Sequence, residues 1–269
     1  MKKILCLLSV SMLFLASCSS SSDSSSSENP TPQNLLLKKI VEGDVALGGS
    51  ESNYTYNGNK LVEITRKSDT DVFSDIYTYT GNLITKIEKF QVYYSGTPDE
   101  STQLLSTDEF QYNANNQLVQ FKTINTDYSD VELVTTYVYN TNNTVTFQQY
   151  KNTLNEAPVL LKTGTIKVQD GEIVQLQVVK QFDSYTDNYT YDTKNSIFKN
   201  VVGYDKLIFT HIIGKQGNLT MVDSIIGGIS HNFVNGGEFQ YTYNADNYPL
   251  TASQSWYSTV LHSYKFFYY

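Results

Sequence analysis

Arginine is almost missing from this chain of 269 residues: Arg66 is the only one, and the formal net charge is −8. Recognition of phosphate backbones leans on arginine forks and basic stripes, so no nucleic acid partner is expected. Cysteine is nearly as scarce, with only Cys6 and Cys18, both close to the N-terminus. The body of the chain therefore has neither a disulfide nor a thiolate nucleophile. Tryptophan occurs once, at Trp256. No apolar run beyond residue 18 is long enough for a transmembrane helix.

The usual markers of enzymatic chemistry are lacking too. His211, His231 and His262 lie far apart with no His-x-x-x-His pair, the pattern of scattered structural histidines. There is no Gly-x-Ser-x-Gly elbow, P-loop or zinc motif. Asp69-Thr70-Asp71-Val72-Phe73-Ser74-Asp75 opens with the carboxylate spacing of a calcium loop. It lacks the glycine at position six and the glutamate at twelve, so a solvated acidic loop is expected. Asp223-Ser224-Ile225 resembles a short O-glycosylation sequon of Bacteroidetes-type proteins. No catalytic residue, metal ligand or cofactor is expected.

What is present begins with an address. Met1-Lys2-Lys3 is a basic start, and Ile4 to Leu15 is an apolar stretch too short to span a bilayer. Leu15-Ala16-Ser17-Cys18 resembles a lipobox, which makes residues 1–17 a lipoprotein signal peptide and Cys18 the acylated N-terminus of the mature chain. Acyl chains anchor firmly, each buried methylene contributing about 0.8 kcal/mol. Cleavage would remove Lys2 and Lys3 and leave −10. Residues 18–34 are rich in serine and end near Pro30-Thr31-Pro32, a composition that buries no core and forms a flexible tether. In Bacteroidetes-type lipoproteins a serine- and acid-rich stretch after the cysteine resembles a surface-export signal; retention at the periplasmic face is the alternative.

Residues 35–269 are organised by a repeat. It appears as Tyr54-Thr55-Tyr56-Asn57, Tyr77-Thr78-Tyr79-Thr80, Phe110-Gln111-Tyr112-Asn113, Tyr137-Val138-Tyr139-Asn140, Tyr189-Thr190-Tyr191-Asp192 and Tyr241-Thr242-Tyr243-Asn244. Strand side chains alternate, so both aromatics of a copy share one face. A short turn rich in Asn and Gly follows, then an aliphatic return arm, as in Asn116-Gln117-Leu118. In Asn113 to Leu118, Asn140 to Val145, Asp192 to Ile197 and Asn244 to Leu250 a later Asn suits a type I turn closed by a left-handed residue. Asp170-Gly171 marks a further, degenerate hairpin. Longer acidic links join the units, so an antiparallel meander would gather tight turns at one end and acidic loops at the other.

Tyr189-Thr190-Tyr191-Asp192-Thr193-Lys194-Asn195-Ser196-Ile197 resembles the core of the tyrosine–aspartate repeats of Rhs-type proteins, with Asn in place of Gly. With the N-terminal pattern, the chain resembles a family of uncharacterised Bacteroidetes-type surface lipoproteins built from such hairpins. The resemblance implies a fold and no activity. The expected fold is all-β: a large antiparallel meander of about 14 to 17 strands, curved or barrel-like, porin-like in outline but water-soluble. A transmembrane barrel would show lipid an apolar outer face. Lys86, Lys89 and Lys122 within the return arms argue against that. The aromatic pairs are expected to line the inner face as core, with Tyr56, Tyr79, Tyr112, Tyr139, Tyr191 and Tyr243 equivalent and mostly buried. Thr78 should lie on the outer face.

The period breaks near 196–236, where an irregular insertion is expected to replace one hairpin, with a short helix around Ser196 to Val202. The aromatic end, Tyr264 to Tyr269, should pair into the sheet. Trp256 and Tyr257 are the candidate exposed binding aromatics. The expected function is that of an outer-membrane lipoprotein exposed at the cell surface. It would act as a non-enzymatic binding or structural module whose partners, besides the membrane, are a glycan, a peptide or another envelope protein. The alternative is a glycan hydrolase using carboxylates on the acidic loops.

Overall fold

The computed structural model describes residues 35–43, 49–68, 71–128, 130–213, 228–234, 238–256 and 259–269. These lie in one compact unit, Asn34–Tyr269. Cys18, the signal peptide, the tether, Asp69, Thr70, Tyr257 and the Asp223 to Ile225 sequon lie outside the described residues.

Alternating aromatic, β-branched and polar residues form strands at five of the six repeat copies, the exception being Tyr189-Thr190-Tyr191, where only Tyr191 makes a bridge. The strands are β1 (Leu37–Glu42), β2 (Ser50–Asn57), β3 (Lys60–Ser68), β4 (Asp71–Thr80), β5 (Leu83–Tyr93), β6 (Ser101–Tyr112), β7 (Leu118–Asn125) and β8 (Val131–Tyr139). They continue as β9 (Thr144–Thr153), β10 (Val159–Gln169), β11 (Glu172–Lys180), β12 (Ser184–Asn188), β13 (Phe239–Tyr243), β14 (Pro249–Trp256) and β15 (Thr259–Tyr268). A short helix, α1 (Ile208–Ile213), follows a 3-10 turn at Tyr204–Lys206. The sheet runs β12 back to β1 in order, then β15, β14 and β13. It is a 15-stranded antiparallel meander in which the C-terminal strand pairs with the N-terminal one, as with Ile40 opposite Phe266. β12 and β13 remain its two edges, so strand pairing does not close it into a barrel.

The Asn- and Gly-containing turns within the units gather at one end, here the turn end, and the links between units, two to seven residues long, at the other, the loop end. Asn116, Asn143 and Asn247 take φ of 57°, 58° and 63°, the left-handed residue that closes each turn. Asn113 Oδ1 accepts from the N–H groups of Asn115 and Gln117, and Asn244 Oδ1 does the same for Asp246 and Tyr248.

The repeat contains a bulge that alternation does not predict. Tyr56 pairs with Leu61 while Thr55 pairs with Glu63, so Val62 is the extra residue. The inward aliphatics of a return arm are therefore three apart: Leu61 and Ile64, Ile84 and Ile87, Leu118 and Phe121, Ile173 and Leu176, all buried. The two aromatics also divide their work. The first of a pair is buried in four copies (Tyr54, Tyr77, Phe110, Tyr137) and half-buried in the other two (Tyr189, Tyr241). The second (Tyr56, Tyr79, Tyr112, Tyr139, Tyr191, Tyr243) is only half-buried at the rim, which corrects the expectation of deep burial. At the rim its hydroxyl can reach a partner, although that of Tyr56 has none among the described residues. Tyr112 donates to Ile84 O at 2.7 Å, Tyr191 to Ile173 O at 2.7 Å and Tyr268 to Pro249 O at 2.8 Å. Each tyrosine thus binds the return arm of a neighbouring unit.

Residues 196–210 pack inside the curl. Phe198 meets Tyr54 of β2 and stacks on Tyr204 at 4.1 Å, and Phe209 meets Tyr137 and Tyr139 of β8. Val202 N–H donates to Asn59 O, and Asn200 Nδ2 donates to Leu35 O and the Tyr248 hydroxyl. One segment reaches β2, β8 and the β13–β14 turn only because the sheet wraps around it. Gly203, with φ of 77°, is required where a Cβ would lie 2.6 Å from Asn82 O. Residues 197–202 form turns and the helix comes later, at Ile208–Ile213, a correction to the expected helix. Val202 spends its N–H on Asn59 and so cannot continue a helical ladder.

Candidate functional site

The inner face has two levels. At the turn end it is filled by the aromatics, the aliphatics and side chains from residues 197–209. One step toward the loop end, two residues along each strand, the inward positions turn polar. Tyr54 gives way to Ser52, Ile64 to Arg66, Tyr77 to Asp75, Ile87 to Lys89, Phe110 to Asp108 and Phe121 to Thr123. Across β8 and β9, Tyr137 gives way to Thr135 and Phe147 to Gln149. Register sets these groups face to face: Ser52 with Arg66, Asp75 with Lys89, Asp108 with Thr123, and Thr135 with Gln149.

The belt compensates its own charge. Arg66, the single arginine, holds Asp75 at 2.8 Å. Lys89 holds Asp108 at 2.6 Å, and Thr123 donates to the other oxygen of Asp108 at 2.7 Å. Glu42 accepts from Ser50 and lies 2.9 Å from Nδ1 of His262. Gln149 Nε2 donates to Thr135 Oγ1. Lys162 and Lys180 continue the belt, directly opposed. Burial, and then the neighbouring Lys180 charge, hold the Lys162 ammonium below the ordinary lysine range.

The second constellation seals the seam between the two edges. Residues 190–192 would begin a hairpin, and Asp192 still makes the local half of its turn, accepting Lys194 N–H at 2.8 Å. The return arm is replaced: residues 232–234 pair there, with a bridge from Tyr191 to Phe233 and Val234 N–H donating to Thr190 O. Asp192 then accepts from Asn232 N–H and Nδ2 and from the Tyr243 hydroxyl of β13. Beside it, the buried carboxylate of Glu172 accepts the N–H groups of Ile229, Ser230 and His231 at 2.7, 2.7 and 2.9 Å, with the His231 ring at 3.2 Å. Three donors converging on one carboxylate fix segment 229–231 on the start of β11.

His231 and His262 therefore each have a carboxylate partner, 59 and 220 residues away, which local spacing could not reveal. Both act as structural hydrogen-bonding groups; among the described residues neither ring carries a hydroxyl nucleophile. The side chain of His211 lies outside the described residues. Trp256 ends β14 opposite Thr259, but its side chain, like all of Tyr257, lies outside them too, so neither candidate binding aromatic is placed. The solvated acidic loop expected at 69–75 is corrected: Asp71 to Asp75 lie in β4, with Asp75 buried against Arg66, and among the described residues no group of three or more His, Cys, Asp or Glu could hold an ion. No described helix is long and apolar enough to cross a membrane. The chain matches no family model and no curated protein sequence.

Proposed function

We propose that the chain is a lipid-anchored, non-enzymatic binding or structural module of the outer membrane, exposed at the cell surface and akin to the tyrosine–aspartate repeat lipoproteins. The observation that carries the non-enzymatic part is the state of the buried acids. Asp75 faces Arg66, Asp108 faces Lys89, and Glu172 is held by three backbone N–H groups. A glycoside-cleaving acid must reach the scissile bond, and these carboxylates are spent on ion pairs and backbone N–H groups within the fold. Cations and N–H donors placed on every buried acid suit a rigid scaffold.

The anchor rests on Leu15-Ala16-Ser17-Cys18. Mass spectrometry of membrane-extracted protein is expected to yield an acylated Cys18 peptide, and an unmodified N-terminus elsewhere would remove the anchor. Protease added to intact cells should strip the domain; protection until lysis would place it on the periplasmic face. For the activity, release of reducing ends from neutral and acidic polysaccharides is expected to stay at background. Turnover that Asp75→Asn or Asp108→Asn abolishes would establish the glycan hydrolase instead.

A further inference from the structure

The outer face of the sheet has two territories. From β1 to β8 it carries ion pairs: Lys39–Glu51 at 3.2 Å, Lys86–Glu88 at 2.9 Å, and Lys122 between Glu109 at 2.9 Å and Glu132 at 3.4 Å. Across the middle of β8 to β11 the formal charges stop. Thr136, Gln148, Thr163 and Val179 stand directly opposite one another in one row across four strands. Val138, Thr146, Thr165 and Gln177 form the next row. Both rows point outward, because Tyr137, Phe147 and Val178 between them, and Ile166 next to Thr165, are buried. The rows line a shallow trough of about 550 Å³ on the surface.

The lining has a definite chemistry. Threonine hydroxyls and glutamine amides both donate and accept, so they match groups that do the same. Val138 and Val179, largely exposed, offer methyl groups at opposite corners of the trough. With no ion in either row, a neutral ligand can dock without desolvating a charge, while a charged one would find no counter-charge within the rows, the exposed Lys167 standing one row beyond Thr165. The rows run across the strands, and neighbouring strands lie about 4.8 Å apart. That spacing is close to the length of one sugar residue in an extended chain, so successive residues would meet successive strands. Tyr150 donates to Gln148 Oε1 at 3.1 Å and holds that amide at the trough's edge.

We propose that this trough binds an uncharged, extended polysaccharide chain laid across β8 to β11. The proposal rests on the reading of the chain as a binding module and names its ligand class. The test is calorimetric titration of the full-length, detergent-solubilised protein with cellohexaose, xylohexaose and laminarihexaose, and with hexagalacturonate as the anionic control. Saturable binding of at least one neutral hexasaccharide is expected, with hexagalacturonate weaker. Thr163→Lys should weaken it about tenfold or more, because it buries an unpaired charge in the contact. Gln148→Ala should weaken it without adding charge, and Lys86→Ala on the other territory should change nothing. Unaltered melting of the variants separates lost binding from lost folding. No saturable binding of any neutral probe, equal binding of hexagalacturonate, or indifference to Thr163→Lys would each overturn the proposal. If no neutral hexasaccharide binds but a protein partner is cross-linked on intact cells through another face, the binding-module reading survives and this one falls. Cleavage of a hexasaccharide would remove both.

Discussion

Replacing Glu172 tests whether the seam is held as its hydrogen bonds suggest. Glu172 is only 5% exposed, and its carboxylate accepts three backbone N–H groups from residues 229–231. A hydrogen bond to a charged group contributes about 1.5 to 3 kcal/mol, and leaving its partner buried and unmade costs more than its absence. The donors in Glu172→Ala are half-buried, so water can recover part of the loss. The expected destabilisation is about 3 to 5 kcal/mol, a large share of the 5 to 15 kcal/mol typical of a domain. Glu172→Gln keeps one acceptor oxygen but turns an NH2 group toward Ile229 N–H or toward Ser230 and His231, and should cost about 1 to 3 kcal/mol. His231→Ala, which removes only the ring contact at 3.2 Å, should cost less than about 1 kcal/mol. Urea unfolding measures all three, and hydrogen exchange should show the amides of 229–231 losing protection first in the glutamine variant. Glu172→Gln within about 0.5 kcal/mol of the parent, with those amides still protected, would refute the reasoning.

Tyr137 is buried and its hydroxyl has no partner among the described residues, so Tyr137→Phe should gain about 1 kcal/mol in urea unfolding while Tyr137→Ala loses about 3 to 5. Thr78→Ala, on the exposed face, should stay within about 0.5 kcal/mol. Gly164 lies under the Phe147 ring, and a Cβ there would fall 2.0 Å from Gln177 O and 2.5 Å from the ring. Gly164→Ala should lower stability by about 2 to 3 kcal/mol, and Phe147→Leu should not rescue it, because the closer clash is with backbone. Burial pushes the Tyr79 and Tyr139 phenols up to about 12 and many other inward tyrosines higher. Since the unfolded phenols ionise near 10, the folded state holds more protons above that pH. Stability should therefore be fully present below pH 10 and fall through pH 12, apart from a small opposite contribution from Lys162. Urea midpoints unchanged between pH 9 and 11 would count against this.

Much of the fold was legible because its signals are local. The Tyr-x-Tyr pair fixes a face, and Asn113, Asn140 and Asn244 begin turns whose hydrogen bonds close within four residues. The bulge was less visible: Val62 reads as one more strand residue, and only the pairing of Thr55 with Glu63 shows that the strand slips there. The equal treatment of the two aromatics failed for a related reason. A phenol can be buried deeply only where its hydroxyl is satisfied or abandoned, and that depends on a carbonyl in the neighbouring unit, 18 to 28 residues away.

The seam and the trough lie further out of reach for distinct reasons. Asp192-Thr193-Lys194-Asn195 has the sequence of one more turn, and its first half is made: Lys194 N–H binds Asp192 as Asn115 N–H binds Asn113. What diverts the second half is Asn232, 40 residues on, which takes the acceptor that a return arm would use. No local pattern encodes that competition. In the trough each residue is individually unremarked, since threonine, glutamine and valine are ordinary on the wet side of a strand. Thr136, Gln148, Thr163 and Val179 are spread over more than 40 positions, and it is the register of three strand pairs that sets them side by side. A slip of one residue in β10 would put Gly164 in that row and drive Thr163 inward against Phe147. The pairing that buries Ile166 is therefore the same pairing that assembles the uncharged row. Selection for a packed core would preserve the geometry of the trough but not its lack of charge, and that second property is the one the titrations test.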